Sequence, residues 1–158
     1  NSIGTLHDFE PLRFCKALTC PENRIDAAIA LTSSDNLGTS TPPDGYGEPR
    51  TGTTSATLGQ AVQKYGRTTG LTTGLVSGIN ATINVNYNTG TARFVDQILI
   101  TDGRFSQGGD SGSLVVTQSS GQDDRRPVGL LFAGSNTHTI ANPIDLVLDL
   151  FSVEIDGS

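Results

Sequence analysis

Apolar and polar residues alternate over short stretches through much of the chain, and turn-forming residues separate these stretches. A period of two is typical of β-strands that bury one face. The pattern predicts strands at residues 61–65, 75–79, 83–87, 94–101, 113–118 and 127–133. Residues 88–90, Asn-Thr-Gly, predict a hairpin turn. Six short strands at this spacing favour a small closed barrel.

The N-terminal part has a weaker pattern. Residues 3–14 mix apolar and polar side chains without a helical repeat and include Pro11, which predicts a strand or two near a sheet edge. Residues 23–31 form an apolar run that is interrupted by the carboxylate of Asp26, and its length predicts a buried strand. Both predictions place strands ahead of the barrel.

Near the C-terminus the pattern changes from strand to helix. Residues 142–151 carry four apolar side chains that share one helical face: Ile144, Val147, Leu148 and Phe151. Asn142 can cap this helix, and Pro143 suits its first position. We therefore expect a short terminal helix that packs on the barrel.

A segment rich in Ser, Thr, Gly and Pro, with few aliphatic side chains, separates the two parts. Such turn chemistry predicts a linker over residues 35–57. It divides the chain into residues 1–34 and residues 58–158, which hold the barrel and the terminal helix. The 158 residues suit one domain of ordinary size but are few for two complete barrels.

Composition supports an all-β class and narrows the range of partners. The chain has 19 Gly, 7 Pro and no Met or Trp, which favours short strands and tight turns over a helical bundle. With 10 basic and 16 acidic residues the net charge is −6, so we expect no nucleic acid partner. No apolar stretch approaches the ~20 residues that span a bilayer, so we expect a soluble protein whose localisation stays open.

The two cysteines, Cys15 and Cys20, are close in sequence. A disulfide that closes this short loop is geometrically feasible, and two reduced thiols in a cytosolic protein fit the same spacing, so the sequence leaves both open. Neither histidine lies at ligand spacing from the pair, and we expect no metal site.

The candidate chemistry lies in residues 109–112, Gly-Asp-Ser-Gly, which precede an aliphatic stretch. Glycines on both sides of the Asp-Ser pair allow a tight loop in which two backbone N–H groups face one point. This geometry makes an oxyanion hole beside a hydroxyl. The alternative is a plain glycine-rich turn before a strand.

Together with residues 127–134, Pro-Val-Gly-Leu-Leu-Phe-Ala-Gly, the serine loop resembles the trypsin-like (chymotrypsin-fold) serine proteases. Residues 26–31 look like the segment that carries the family's buried aspartate, and residues 62–70 look like the start of its second barrel. With only two cysteines the chain is closer to the bacterial type. The resemblance implies a chymotrypsin-like all-β fold with a complete C-terminal six-stranded barrel, an incomplete N-terminal barrel and a short C-terminal helix.

The resemblance also implies catalytic roles. Ser111 is the expected nucleophile, and the N–H groups of Gly109 and Ser111 are the expected oxyanion donors. Asp26 is expected to orient and stabilise a histidine; its alternative role is to cap a turn at a strand edge. Acyl transfer to a serine uses only side chains, backbone amides and water, so no cofactor is expected.

Substrate-binding residues follow from the same resemblance. Phe132, Ala133 and Gly134 are expected to pair with the backbone of a polypeptide substrate. Phe105 is expected near the base of the primary specificity pocket and His138 near its wall. An imidazole there could attract an acidic side chain, and the alternative is a solvent-facing loop histidine.

The catalytic histidine is not recognisable. His138 follows the serine, and His7 lies in a segment that does not resemble the family's histidine motif. We therefore expect, as a hypothesis, that the chain is the C-terminal portion of a longer protease and that the histidine lies on a missing N-terminal segment. The incomplete first barrel would expose strand edges, so self-association or a partner fragment is expected.

One further departure concerns the aspartate that precedes the serine. In secreted members a new N-terminus pairs with this aspartate, but residues 1–3 show no such signature, so Asp110 is expected to take other donors. The sequence thus predicts a serine endopeptidase, or the catalytically incomplete fragment of one. The alternatives are a non-catalytic relative that binds peptides or forms an assembly, and a plain β-barrel in which residues 109–112 are only a turn.

Overall fold

The computed structural model describes residues 4–101 and 103–158. Within them the strands are β1 (Thr5–Phe9), β2 (Glu22–Asn23), β3 (Ala28–Leu31), β4 (Ala61–Gly66), β5 (Gly70–Tyr87), β6 (Gly90–Thr101), β7 (Leu114–Thr117), β8 (Pro127–Gly134) and β9 (His138–Pro143), and the helix is α1 (Ile144–Phe151). Strands β4 to β9 are antiparallel in the order β6-β5-β4-β7-β8-β9, and β9 pairs back with β6. This closed ring confirms the predicted six-stranded barrel.

The barrel has the predicted number of strands but not the predicted members. Residues 75–79 and 83–87 belong to one long strand, β5, whose pairing with β6 shifts register three times. Asn80, between the two stretches, has a φ of 51°. The strand bends there, and its alternation is interrupted, so that one strand has the pattern of two.

The sixth strand of the ring is β9, which the alternation does not predict. Two of its fully buried residues, Thr139 and Asn142, are polar. A strand that buries polar side chains lacks the apolar period from which strands are recognised. Pairing with both β8 and β6 closes the barrel through this strand.

Two apolar clusters form the core. The interior of the barrel consists mainly of aliphatic side chains and one aromatic ring: Val62, Val76, Ile98, Ile100, Phe105, Val115, Val128, Leu131 and Ala141. The second cluster joins Val147 of α1 to Ile25 and Ala27, which flank Asp26. Each fully buried Val, Leu, Ile or Phe side chain contributes about 1.5–3 kcal/mol. The helix therefore holds the segment around Asp26 against the barrel.

The start of α1 differs from the prediction. Pro143 occupies the N-cap position rather than the first helical position, and Asn142 lies in β9. The Asn142 side chain is buried and turns away from the helix: its Oδ1 accepts from the Asp26 N–H at 3.1 Å, and its Nδ2 donates to the Asp26 carbonyl at 2.9 Å. Asn142 therefore does not cap the helix but binds the backbone of a distant residue.

In the part of the chain that the structure describes, no helix has the length and apolar character needed to span a membrane.

Residues 4–31 form no barrel of their own. β1 and β3 pair as a two-stranded sheet, and β2 adds to the barrel sheet in parallel with β6. The prediction of one buried strand over residues 23–31 is wrong: β2 and β3 are separate, and β3 is mostly exposed because only β1 packs beside it. Only the stretch between them, around Ile25, is buried under α1.

The predicted linker follows the surface of the barrel. The Arg50 N–H donates to the Arg125 carbonyl and the Thr54 N–H to the Pro127 carbonyl, both at 2.9 Å. Burial raises the pKa of Tyr46 to about 12. Residues 35–57 are thus held by contacts, while the proposed domain boundaries stay a prediction. Cys15 and Cys20, whose state the sequence left open, form a disulfide.

We expect Asn142→Ala to lower the free energy of unfolding by about 1–3 kcal/mol, because it leaves the Asp26 N–H and carbonyl groups without partners. Urea unfolding followed by circular dichroism measures the loss. The control is Asn84→Ala on an exposed position of β5, for which a change within about 0.5 kcal/mol is expected. Equal midpoints for the two variants would contradict the role of Asn142.

Candidate active site

The serine loop is built by a close set of backbone hydrogen bonds. The Asp110 N–H donates to the Gln107 carbonyl and the Ser113 N–H to the Asp110 carbonyl, both at 3.0 Å. The loop is then tied to β8: the Gly112 N–H donates to the Leu131 carbonyl at 2.8 Å. These bonds present Ser111 at the surface, where its side chain is exposed.

Two N–H groups beside Ser111 are free to bind an acceptor. Within residues 4–101 and 103–158, neither the Gly109 N–H nor the Ser111 N–H donates to a protein atom. Gly109 has a φ of +102°, and a Cβ on it would lie 2.5 Å from the Thr68 hydroxyl oxygen and 2.8 Å from Arg67 Nη2. Only glycine fits this conformation and this space. The loop therefore has the two donors expected of an oxyanion hole.

Asp110, between these two amides, is buried and turned inward. Its Oδ1 accepts from the Thr68 N–H at 2.7 Å and the Thr69 N–H at 3.2 Å. Its Oδ2 accepts from the Thr69 hydroxyl at 2.7 Å and the Gln107 N–H at 3.0 Å. As expected, Asp110 finds its donors in the chain itself; residues 1–3 lie outside the described residues.

A buried cation accompanies this carboxylate. Lys64 Nζ lies 3.7 Å from Asp110 Oδ2, and both side chains are fully buried. The ammonium also donates to the Gly70 carbonyl at 3.0 Å and lies 5.7 Å from the centre of the Phe105 ring. Burial lowers the pKa of Lys64, and the charge of Asp110 acts in the opposite direction. An internal lysine thus serves as counter-ion to the loop.

The same contacts determine the ionisation of Asp110. Burial acts to raise the pKa of this carboxyl, but the hydrogen bonds from Gln107, Thr69 and Thr68 together outweigh it and lower the pKa to about 2. The close approach also requires Gly66, because a Cβ there would lie 2.4 Å from Asp110 Oδ1. The carboxylate therefore stays charged at ordinary pH and fixes the loop to the turn between β4 and β5.

Asp26 is held at two points. Asn142 bonds its backbone from both sides, as described above, and the Tyr87 hydroxyl donates to its Oδ2 at 2.5 Å. Asp26 is half-buried. Among the described residues, no donor lies within hydrogen-bond distance of its Oδ1. One carboxylate oxygen is thus fixed and the other is available.

A cleft adjoins the serine. Its volume is about 540 Å³. It is lined by loop residues on one side and by β8 and the following turn on the other: Gly103, Ser106, Gln107, Gly108, Ser111, Leu131, Ala133, Gly134, Ser135 and Asn136. The Ser111 hydroxyl donates to the Phe132 carbonyl at 3.3 Å. The nucleophile candidate therefore opens onto a pocket with a strand at its wall.

Residues 132–134 of β8 have one edge in use. Ala133 pairs with Ile140 and Gly134 with Thr139 of β9, whereas the pairing of β8 with β7 ends at Leu130. The opposite edge thus faces the cleft beside Ser111. Ala133 and Gly134 line the cleft, whereas the Phe132 ring packs 4.9 Å from the ring of Phe94.

The structure does not bring the other predicted residues to the cleft. Phe105 is buried in the barrel core, and its neighbour Ser106 lines the pocket in its place. His138 contacts the Thr137 hydroxyl through Nδ1 at 2.9 Å and does not line the cleft. His7 lies exposed on β1. In the described part of the chain, neither imidazole bonds to Ser111, and no three potential metal ligands come together.

Three residues were not predicted to belong to the site: Lys64, Tyr87 and Asn142, the last of which was expected to cap α1. Lys64 and Tyr87 are polar residues of the predicted strands β4 and β5, whereas Asn142 lies in β9, which the alternation does not predict. A polar residue at an inward position of a strand is a signal that a buried partner exists. The identity of that partner is not contained in local sequence, because 46, 61 and 116 positions separate these residues from Asp110 and Asp26.

Known proteins resemble this chain in sequence and in structure. The model of the Nal1 C-terminal domain family matches residues 51–142, more than half of the chain. No curated protein sequence matches it.

Several solved structures share the fold. A chymotrypsin of Cellulomonas bogoriensis has a TM-score of 0.66 at 23% identity, over 86% of this chain and 72% of that one. A glutamic acid-specific serine protease that uses a histidine triad in substrate binding has a TM-score of 0.61 at 25% identity, over 82% and 65%. Protease A of Thermobifida fusca has a TM-score of 0.55 at 26% identity, over 68% and 54%. The chain spans less than two thirds of the last two, and the chymotrypsin-like fold is confirmed.

We expect Asp110→Asn to destabilise the protein by roughly 2 kcal/mol or more near neutral pH, since the pKa of Asp110 falls from an ordinary 3.8 to about 2 on folding. A carboxyl with a lowered pKa stabilises the fold fully above 3.8 and loses this contribution as the pH falls to about 2. The difference in unfolding free energy between wild type and variant should shrink over that window in urea titrations. Asp35→Asn, on an exposed turn, is the control; a difference that is constant with pH would contradict the argument.

Proposed function

The chain belongs to the Nal1 C-terminal domain family and has the fold of bacterial chymotrypsin-like serine proteases, and on this basis we propose that it is a serine endopeptidase that cleaves peptide bonds through an acyl-enzyme on Ser111. The observation that carries the proposal is the pair of unpaired N–H groups, of Gly109 and Ser111, beside an exposed hydroxyl at the mouth of a cleft. The loop keeps this backbone only with glycine at position 109, where a Cβ would meet Thr68 and Arg67.

The chemistry proceeds in two steps. The Ser111 oxygen attacks the peptide carbonyl carbon while its proton passes to a general base, and the carbonyl oxygen becomes negative and accepts from the amides of Gly109 and Ser111. The base returns the proton to the leaving amine, and water then hydrolyses the ester by the reverse sequence. Each oxyanion donor is worth roughly 10²–10³ in rate.

Asp110 supports this step from behind. Its carboxylate fixes residues on both sides of the oxyanion donors through Gln107, Thr68 and Thr69. The amides are therefore in place before a substrate arrives and need no reorganisation when charge develops. Lys64 balances the buried charge without entering the cleft.

The general base is proposed to be an imidazole that residues 4–101 and 103–158 do not place beside Ser111. Asp26 is proposed to hold it, since the Oδ1 of this carboxylate lacks a donor while its backbone and Oδ2 are fixed. The polypeptide substrate is proposed to pair with Phe132, Ala133 and Gly134 along the edge that β9 does not use, where the Phe132 carbonyl accepts from the Ser111 hydroxyl. Its side chain would enter the cleft that Ser106 and Ser135 line.

The test supplies the base from solution. We expect a fluorophosphonate probe to modify Ser111 slowly in the chain alone and faster by roughly tenfold or more with added imidazole, because a positioned general base accelerates such steps. Mass spectrometry of tryptic peptides locates and quantifies the adduct. Asp26→Asn should reduce the gain from imidazole, since the imidazolium would lose its counter-ion.

Ser111→Ala should abolish the adduct, and Ser77→Ala, which removes an exposed hydroxyl on β5, should leave it unchanged. Peptide binding without any adduct in the presence of imidazole would favour the non-catalytic peptide-binding barrel instead. An adduct at serines other than 111, at equal rates, would also oppose the proposal.

A further inference from the structure

We infer that Tyr87 is a positioning residue of the proposed triad, whose phenol holds one oxygen of the Asp26 carboxylate so that the other faces the incoming imidazole. This inference rests on the proposed function of Ser111 and Asp26. The contact itself is observed: the Tyr87 hydroxyl donates to Asp26 Oδ2 at 2.5 Å.

The bond restrains the Asp26 side chain, whose backbone is already held. Its backbone is bonded on both sides by Asn142, and its neighbours Ile25 and Ala27 are packed under α1. The remaining freedom is that of the side chain, which rotates about its two torsions, χ1 and χ2. A single donor on Oδ2 restrains this rotation and leaves Oδ1 with a defined direction.

Tyr87 is itself held in place. The Phe14 ring meets it edge-on with centroids 5.9 Å apart, and the Phe94 ring packs at 6.5 Å on another side. The Cys15 N–H donates to the Thr91 carbonyl at 2.8 Å, which ties the disulfide loop to the hairpin that carries Tyr87. A phenol fixed on two sides has little conformational freedom left to lose when it binds the carboxylate.

The same aromatic contacts lead to the serine. Phe94 packs against Phe132 with centroids 4.9 Å apart, and the Phe132 carbonyl accepts the hydrogen bond of the Ser111 hydroxyl at 3.3 Å. Asp26 and Ser111 therefore both bond to residues of one row of packed aromatic rings: Phe14, Tyr87, Phe94 and Phe132. A shift of Tyr87 would alter the direction of Asp26 relative to Ser111.

A phenol suits this role because it donates without adding charge. An arginine or lysine at this position would neutralise the carboxylate that is to stabilise an imidazolium. Burial, followed by the hydrogen bond and charge of Asp26, raises the pKa of Tyr87, so the hydroxyl keeps its proton. The ion pair of Arg24 and Asp96 is exposed, and its two side chains bond each other at 3.2 Å.

The test uses Tyr87→Phe, which keeps the ring and removes only the hydroxyl. We expect imidazole-assisted labelling of Ser111 by fluorophosphonate to slow by about tenfold, the effect of losing one hydrogen bond to a charged group. In an Asp26→Asn background the same change should have no further effect, since it acts through the carboxylate. The matched control is Tyr65→Phe, whose hydroxyl bonds Asp44 at 2.9 Å. It should leave the rate unchanged.

A second measurement does not depend on reactivity. In carbon NMR, the Cζ resonance of Tyr87 should move in Asp26→Asn and stay in place in Asp44→Asn. If the Tyr87 resonance does not move in Asp26→Asn, the inference is overturned whatever the labelling shows. If no protein, wild type included, is labelled at Ser111, the proposed function fails, and the resonance still tests the contact between Tyr87 and Asp26. Labelling of Tyr87→Phe at the wild-type rate, or an equal loss in the Asp26→Asn background, would overturn the inference as well.

Discussion

The buried carboxylate of Asp110 is the constraint on which the serine loop depends. A charge taken out of water is costly unless donors surround it. Here three backbone amides and one hydroxyl donate to the carboxylate, and Lys64 is its counter-ion. The four donors come from the turn after β4 and from the loop itself. The loop therefore cannot move away from the barrel without exposing an unpaired charge, and the amides on either side of Asp110 are held outward.

Buried side-chain amides fasten the N-terminal segment to the same barrel. Asn23 donates to the carbonyls of Arg13 and Arg93, and Gln97 donates to the carbonyl of Arg24. Asn142 completes the set at Asp26. A short segment with little apolar area of its own gains its place through these bonds, because leaving a buried backbone group unpaired costs about 1–3 kcal/mol. The position of Asp26 thus depends on these polar contacts together with the packing of Ile25 and Ala27 under α1.

The parts of the fold that sequence reasoning recovered are those with local causes. Alternation is a local signal, so the barrel strands other than β9 were predicted. The serine loop was recognised from its glycines, one of which, Gly109, the backbone requires. β5 was divided in two because the bend near Asn80 breaks its period, and β9 was missed because it buries polar side chains. Asn142 has the local pattern of a cap, and only its distant partner Asp26 explains its burial.

The two carboxylates of the site differ in how many of their acceptor positions are occupied by hydrogen bonds. Both oxygens of Asp110 accept two hydrogen bonds, which leaves no acceptor direction for a substrate or a base, so its influence on the cleft is through geometry alone. Asp26 has its backbone and one oxygen bound and its other oxygen without a donor in the described residues. A half-buried carboxylate left in that condition gains most from a charged donor, because such hydrogen bonds are the stronger kind. Asp26 Oδ1 is thus able to accept a hydrogen bond from a charged donor.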